Sequence, residues 1–211
     1  MIEHVGPGDI EARSFEIIAD ELAEMGIILD EENDLVIRRA IHTSADFDYA
    51  RTLVFSDEAV KTARDLIREG AYIITDTNMA LTGINKRRLA VFGGSVCCYM
   101  ADEEVTAEAR ERGVTRASVS MEHAAADLKR TGRKAIFAIG NAPTALITLR
   151  TMYDEGIFRP DFVIGVPVGF VNVTEAKEQI LDTDIPHIIN RGRKGGSNVA
   201  AAIVNALIYG M

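Results

Sequence analysis

From residue 71 onward the chain alternates short apolar runs with helix-like stretches, and this rhythm limits the possible folds more than any other feature. The apolar runs lie at 71–75, 95–100, 135–139, 162–166 and 187–190. Helical patterns occupy 78–84, 102–112, 118–131, 143–153 and 174–182, and a last one runs from 198 to about 209. Strands separated by helices pair in parallel, through right-handed crossovers. Strands that are apolar almost throughout are buried on both faces. The expectation is an α/β fold: three layers, α/β/α, around a mainly parallel five-stranded sheet.

Residues 1–70 follow another rhythm. Asp9 can cap a helix from Ile10 to about Met25, stopped by Gly26. Asp30 can cap a second helix through Leu35, Ile37 and Ile41, with 42–46 as its frayed end. Ser56 can cap a third, reaching Arg68 and ending at Gly70. With 211 residues and no repeat, low-complexity tract or linker, the chain reads as one domain. In that reading 1–70 form a helical N-terminal segment and 71–211 the alternating core.

Three glycine turns of one design follow strands in the last third of the chain. They are Gly140-Asn141-Ala142-Pro143-Thr144-Ala145-Leu146, Gly165-Val166-Pro167-Val168-Gly169-Phe170 and Gly192-Arg193-Lys194-Gly195-Gly196-Ser197-Asn198. Backbone N–H groups at a strand-to-helix turn attract anions, and turns at the carboxyl ends of parallel strands line one crevice. In the first, Asn141 is the expected N-cap and Pro143 suits a first helical position. The second is stiff and apolar, which fits either a wall against a flat ligand or a plain strand exit. The third joins cations, close-approach glycines and a Ser/Asn helix start, a setting for carboxylate or phosphate. It lacks the Gly-x4-Gly-Lys-Ser/Thr order of a Walker loop, and no Gly-x-Gly-x-x-Gly follows the first strand.

The formal charge of −9 argues against nucleic acid and anionic membranes as partners, and no apolar run is long enough to span a bilayer. An acidic chain that binds an anion must gather its cations locally, as at Arg38 and Arg39 and at Arg191, Arg193 and Lys194. The opening residues show neither a basic region nor an apolar one of the secretory kind, and adjacent Cys97 and Cys98 form no CxxC, so a reducing cytoplasm is expected. His4, His42, His123 and His187 stand apart without metal-ligand spacing, so no metal site is expected. His42 ends its helix beside Thr43, Ser44 and Asp46, with Arg38 and Arg39 on the same face. A lone histidine is usually structural or merely exposed; in this setting it is also a candidate for proton transfer near neutrality. The stretch Thr75-Asp76-Thr77-Asn78-Met79 ends the first strand, where it can add polar groups to the crevice or cap a helix.

Taken in order, Arg39-Ala40-Ile41-His42, Thr75-Asp76-Thr77-Asn78-Met79 and the three glycine turns resemble the precorrin-8X and cobalt-precorrin-8 methylmutases. The resemblance runs from Ser14-Phe15 to the last helix. It implies an isomerase of cobalamin biosynthesis that moves a methyl group from C-11 to C-12 of a corrin precursor. It also implies a homodimer that needs no cofactor and has a tetrapyrrole as its partner. On this likeness the catalytic histidine is His42, the proton donor or acceptor, and Ser14, Arg39 and Arg116 contact substrate. Asn141 of the first turn and Gly192, Arg193, Gly195, Gly196 and Ser197 of the third are the further candidate contacts. A corrinoid carrier without catalysis is the alternative. A sugar-phosphate or nucleotide enzyme ranks last, because it leaves the apolar second turn without a role.

Overall fold

A computed structural model describes residues 4–211; the first three residues of the stretch read above for a leader lie outside it. Six strands form one sheet: β1 (Leu53–Phe55), β2 (Tyr72–Thr75), β3 (Val96–Cys97), β4 (Ala135–Ile139), β5 (Phe162–Gly165) and β6 (His187–Asn190). Their order is β1-β6-β5-β4-β2-β3, and every pair is parallel except β1–β6. The five expected strands are present, and the sheet gains a sixth at its edge. Leu53-Val54-Phe55 is too short to show a period, and it becomes a strand by pairing antiparallel with Ile188, Ile189 and Asn190.

Eleven helices accompany the strands among the described residues: α1 (Ile10–Glu24), α2 (Asp34–Ser44), α3 (Tyr49–Thr52), α4 (Ala59–Arg68), α5 (Asn78–Gly83), α6 (Lys86–Ala90), α7 (Glu103–Arg112), α8 (Arg116–Thr131), α9 (Pro143–Asp154), α10 (Val173–Leu181) and α11 (Ser197–Tyr209). The caps depart from the sequence reading in several places. Ser56 does not cap α4; its Oγ accepts from His187 N at 2.8 Å, and α4 begins after Glu58, which has a left-handed backbone. Asp30 accepts from Glu32 N in a turn, and α2 starts only at Asp34. Asp9 makes no side-chain cap bond. Residues 42–44 are helical rather than frayed, and α2 closes on left-handed Ala45.

Alternate residues of each strand feed different cores. Ile136 and Ala138 of β4 join Ile73, Phe162, Ile164 and Ile188 in a core built with α1, α2, α4 and α11. Ala135, Phe137 and Ile139 join Ile74, Val163 and Ile189 in a second core under α8, α9 and α10. The sheet order reverses between β2 and β4, so right-handed crossovers leave toward opposite faces there. Helix α11 buries ten of its thirteen residues, being apolar on nearly every side. It lies between the sheet and α2, and α1 packs on α2 in turn.

Candidate active site

Parallel strands place every loop that follows β2 to β6 at one edge of the sheet, and the reversal between β2 and β4 opens a crevice at that edge. Asp76 fills this point. Its fully buried carboxylate accepts from Gly140 N at 2.9 Å, Asn141 N at 2.7 Å and Ala142 N at 2.6 Å. Burial pushes this carboxyl's pKa up, while the three amides pull it back. The anion that the first turn attracts is therefore supplied by the chain itself. Ala142, not Asn141, sits at the cap position of α9, and Asn141 is exposed.

The three turns are stitched together. Gly196 N donates to Val166 O at 2.9 Å, Gly169 N to Arg193 O at 3.2 Å, and Val166 N to Ile139 O at 2.8 Å. A Cβ on Gly140 would stand 2.7 Å from Ser197 Cα, and one on Gly195 would stand 2.0 Å from Val166 O. Only glycine permits these approaches. Lys177, wholly buried on α10, supports the third turn from beneath by donating to Gly192 O at 2.7 Å and Lys194 O at 2.9 Å. Burial lowers its pKa to about 8. Ser197 Oγ lies 2.8 Å from Thr77 Oγ1, and Arg193 lies over the exposed Phe170 ring at 5.5 Å. Val168, Phe170 and Val171 stand exposed on the second turn and just beyond it.

The antiparallel direction of β1 brings the end of α2 to this same edge. Thr52 Oγ1 donates to Asn190 Oδ1 at 2.6 Å, and Arg191 N donates to Thr52 O at 2.8 Å. Lys194 then reaches Asp46 and Asp48, each at 2.6 Å. The bond to Lys194 holds the Asp46 carboxyl below its usual range. Lys194 is thus a tie between the third turn and the segment after His42, rather than an unengaged cation.

His42 is exposed in the last turn of α2 and lines two cavities. One, about 310 Å³, is walled by Ser14, Ile17, Ile18, Ile41 and Phe47. The other, about 370 Å³, is walled by Arg39, Glu11, Asn198, Asn205 and Tyr209 among others. The Phe15 ring lies 5.5 Å from the His42 ring and 4.7 Å from the Arg39 guanidinium. Arg39 donates to Glu11 at 2.7 Å, which holds the Glu11 carboxyl below its ordinary value, while Arg39 Nε is buried without a hydrogen-bond partner among the described residues. Ser14 Oγ donates to Ile10 O at 2.8 Å. So Ser14, Arg39 and His42 come together. The third turn approaches them through Asn198 of α11. Arg116 starts α8, donates to Met100 O at 3.3 Å and lines neither cavity. Among the described residues no group of three or more His, Cys, Asp or Glu is arranged to hold a metal ion.

Comparison with known proteins decides the family. The family model for precorrin-8X methylmutase matches residues 9–210. The chain belongs to the precorrin-8X methylmutase family. It is 44% identical to the cobalt-precorrin-8 methylmutase of Salmonella typhimurium, over 96% of this chain and 95% of that one. It is 38% identical to the precorrin-8X methylmutase of Pseudomonas aeruginosa, over 98% of each. The solved precorrin-8X methylmutase of Thermus thermophilus superposes with a TM-score of 0.83 at 39% identity, covering 95% of this chain and 94% of that one. The protein is accordingly a methylmutase, an isomerase of cobalamin biosynthesis.

The sequence places Asp76 in a stretch that can add polar groups to the crevice or cap a helix; Asp76 does the first by accepting from the amides of the neighbouring turn, and Thr77 does the second by accepting from Ala80 N at 3.1 Å. Lys177, Glu11, Asn205 and Tyr209 left no such signal, because helix packing alone brings them into place.

Proposed function

We propose that this methylmutase moves a methyl group from C-11 to C-12 of a precorrin-8-type macrocycle, with His42 exchanging a proton at a ring nitrogen. The observation that carries the reading is the place of His42: its exposed ring lines two cavities, one walled mainly by apolar residues and one in which most of the walling residues are polar or charged. A flat apolar ring with carboxylate arms asks for both kinds of surface. Protonating a pyrrole-type nitrogen draws electrons from the methyl-bearing carbon. The methyl group migrates within the molecule, and the proton is returned afterwards. No external nucleophile or redox step is needed. Ser14 and Arg39 meet the substrate beside His42. Asn141, Gly192, Arg193, Gly195, Gly196 and Ser197 shape and charge the neighbouring sheet edge, and Arg116 contacts substrate from the start of α8. The working unit is a cytoplasmic homodimer in which residues 1–211 act as one domain.

The test is turnover of precorrin-8 and cobalt-precorrin-8, followed by the visible spectrum of the product. Replacing His42 by Ala should lower kcat by about 10²–10⁴, the usual worth of general acid–base help, while product still binds. Near-wild-type turnover by that variant refutes the role of His42. A wild-type protein that binds the macrocycle and leaves both substrates unchanged is a carrier.

A further inference from the structure

Tyr209 ends α11 and forms part of the polar cavity wall. Two guanidinium groups lie within cation–π range of its ring, Arg39 at 6.0 Å and Arg88 at 5.4 Å. Asn85 sets this arrangement. Its Oδ1 accepts from Arg88 N at 3.0 Å, capping the helix that carries Arg88, while its Nδ2 donates to the Tyr209 hydroxyl at 2.9 Å. Asn205, another cavity residue, accepts from Asn85 N at 2.9 Å and donates to Gly83 O at 2.9 Å. One network therefore ties α6 to the cavity wall.

The charges are unbalanced there. Among the described residues, no carboxylate lies within ion-pair distance of Lys86, Arg87 or Arg88. Among the described residues the cavity has one lining carboxylate, Glu11, and it is already paired with Arg39. In a chain of formal charge −9, an unneutralised cation stacked on a cavity residue marks a place for an anionic group. A guanidinium also presents a planar fork suited to carboxylate.

We infer that Arg88, held by the Tyr209 ring, anchors a carboxylate arm of the macrocycle at the rim of the His42 cavity. This rests on the function proposed above and names a binding residue for it. The test is an absorbance titration with hydrogenobyrinate, the metal-free product, beside steady-state kinetics. Arg88→Gln should raise Kd and KM roughly five- to twentyfold, the effect of losing one charge-assisted contact, with kcat within twofold of wild type. Arg88→Lys should recover only part of the loss. Arg87→Gln, on the same helix turn, should stay within twofold. Tyr209→Leu should weaken binding in the same direction with Arg88 intact. The inference is overturned if Arg88→Gln binds within twofold of wild type, or if Arg87→Gln loses as much. A wild-type protein that fails to bind hydrogenobyrinate refutes the functional reading instead, and the two failures are distinct.

Discussion

Replacing Asp76 by Asn tests whether the buried carboxylate is what holds the sheet edge together. The side chain is fully buried and keeps its shape, so the change is one of charge and donor count. Two amides, of Asn141 and Ala142, converge on Oδ2, and one, of Gly140, reaches Oδ1. The best placement of Asn sets its oxygen against the pair and its NH2 against Gly140 N–H. One bond is then lost and two donors face each other, at a cost of about 1.5–3 kcal/mol for a charged acceptor. The two remaining bonds become neutral ones and weaken by roughly 1 kcal/mol each. The raised carboxyl pKa shows that burying the charge has its own cost, which Asn recovers in part. The net expectation is a loss of about 2–4 kcal/mol. Urea unfolding should show a lower midpoint at unchanged slope. For a chain of this size the melting temperature should fall by roughly 5–15 °C. A variant within about 1 kcal/mol of wild type would refute the reasoning, since the first turn would then not depend on its internal anion.

Lys177 provides a pH-dependent test. Its folded pKa of about 8 lies below the ordinary 10.5, so the unfolded chain binds more protons between those values. Stability should therefore rise with pH across roughly pH 8 to 10.5, by an amount on the order of 2–4 kcal/mol relative to Lys177→Met. A flat difference between the two unfolding curves over that range would show that the ammonium is not penalised by burial. Gly195→Ala should cost about 3 kcal/mol or more and weaken macrocycle binding, because the new Cβ would meet Val166 O at 2.0 Å and part the second turn from the third. Thermal melting together with product titration would show it; a variant unchanged in both would mean that the two turns can separate without consequence.

The alternating core was legible because its signals are local. β4 carries an unbroken apolar run, Pro143 sits at the start of α9, and α11 is apolar nearly all round, so residues 71–211 announce their own periods. What joins the two halves of the site is not local. Leu53-Val54-Phe55 has no readable period, and its strand character comes from a partner more than a hundred residues away. Yet the direction of that strand decides the site. Running antiparallel to β6, it starts at the edge where the parallel strands end, so the segment after His42 meets the third turn there. Lys194 on one side and Asp46 and Asp48 on the other record the encounter. A parallel β1 would begin at the opposite edge and withdraw Asp46 and Asp48 from Lys194 of the third turn. The residue types of the site could be named from sequence, but their meeting rests on the packing of α2 against α11 and on three residues that become a strand only once the rest of the sheet exists.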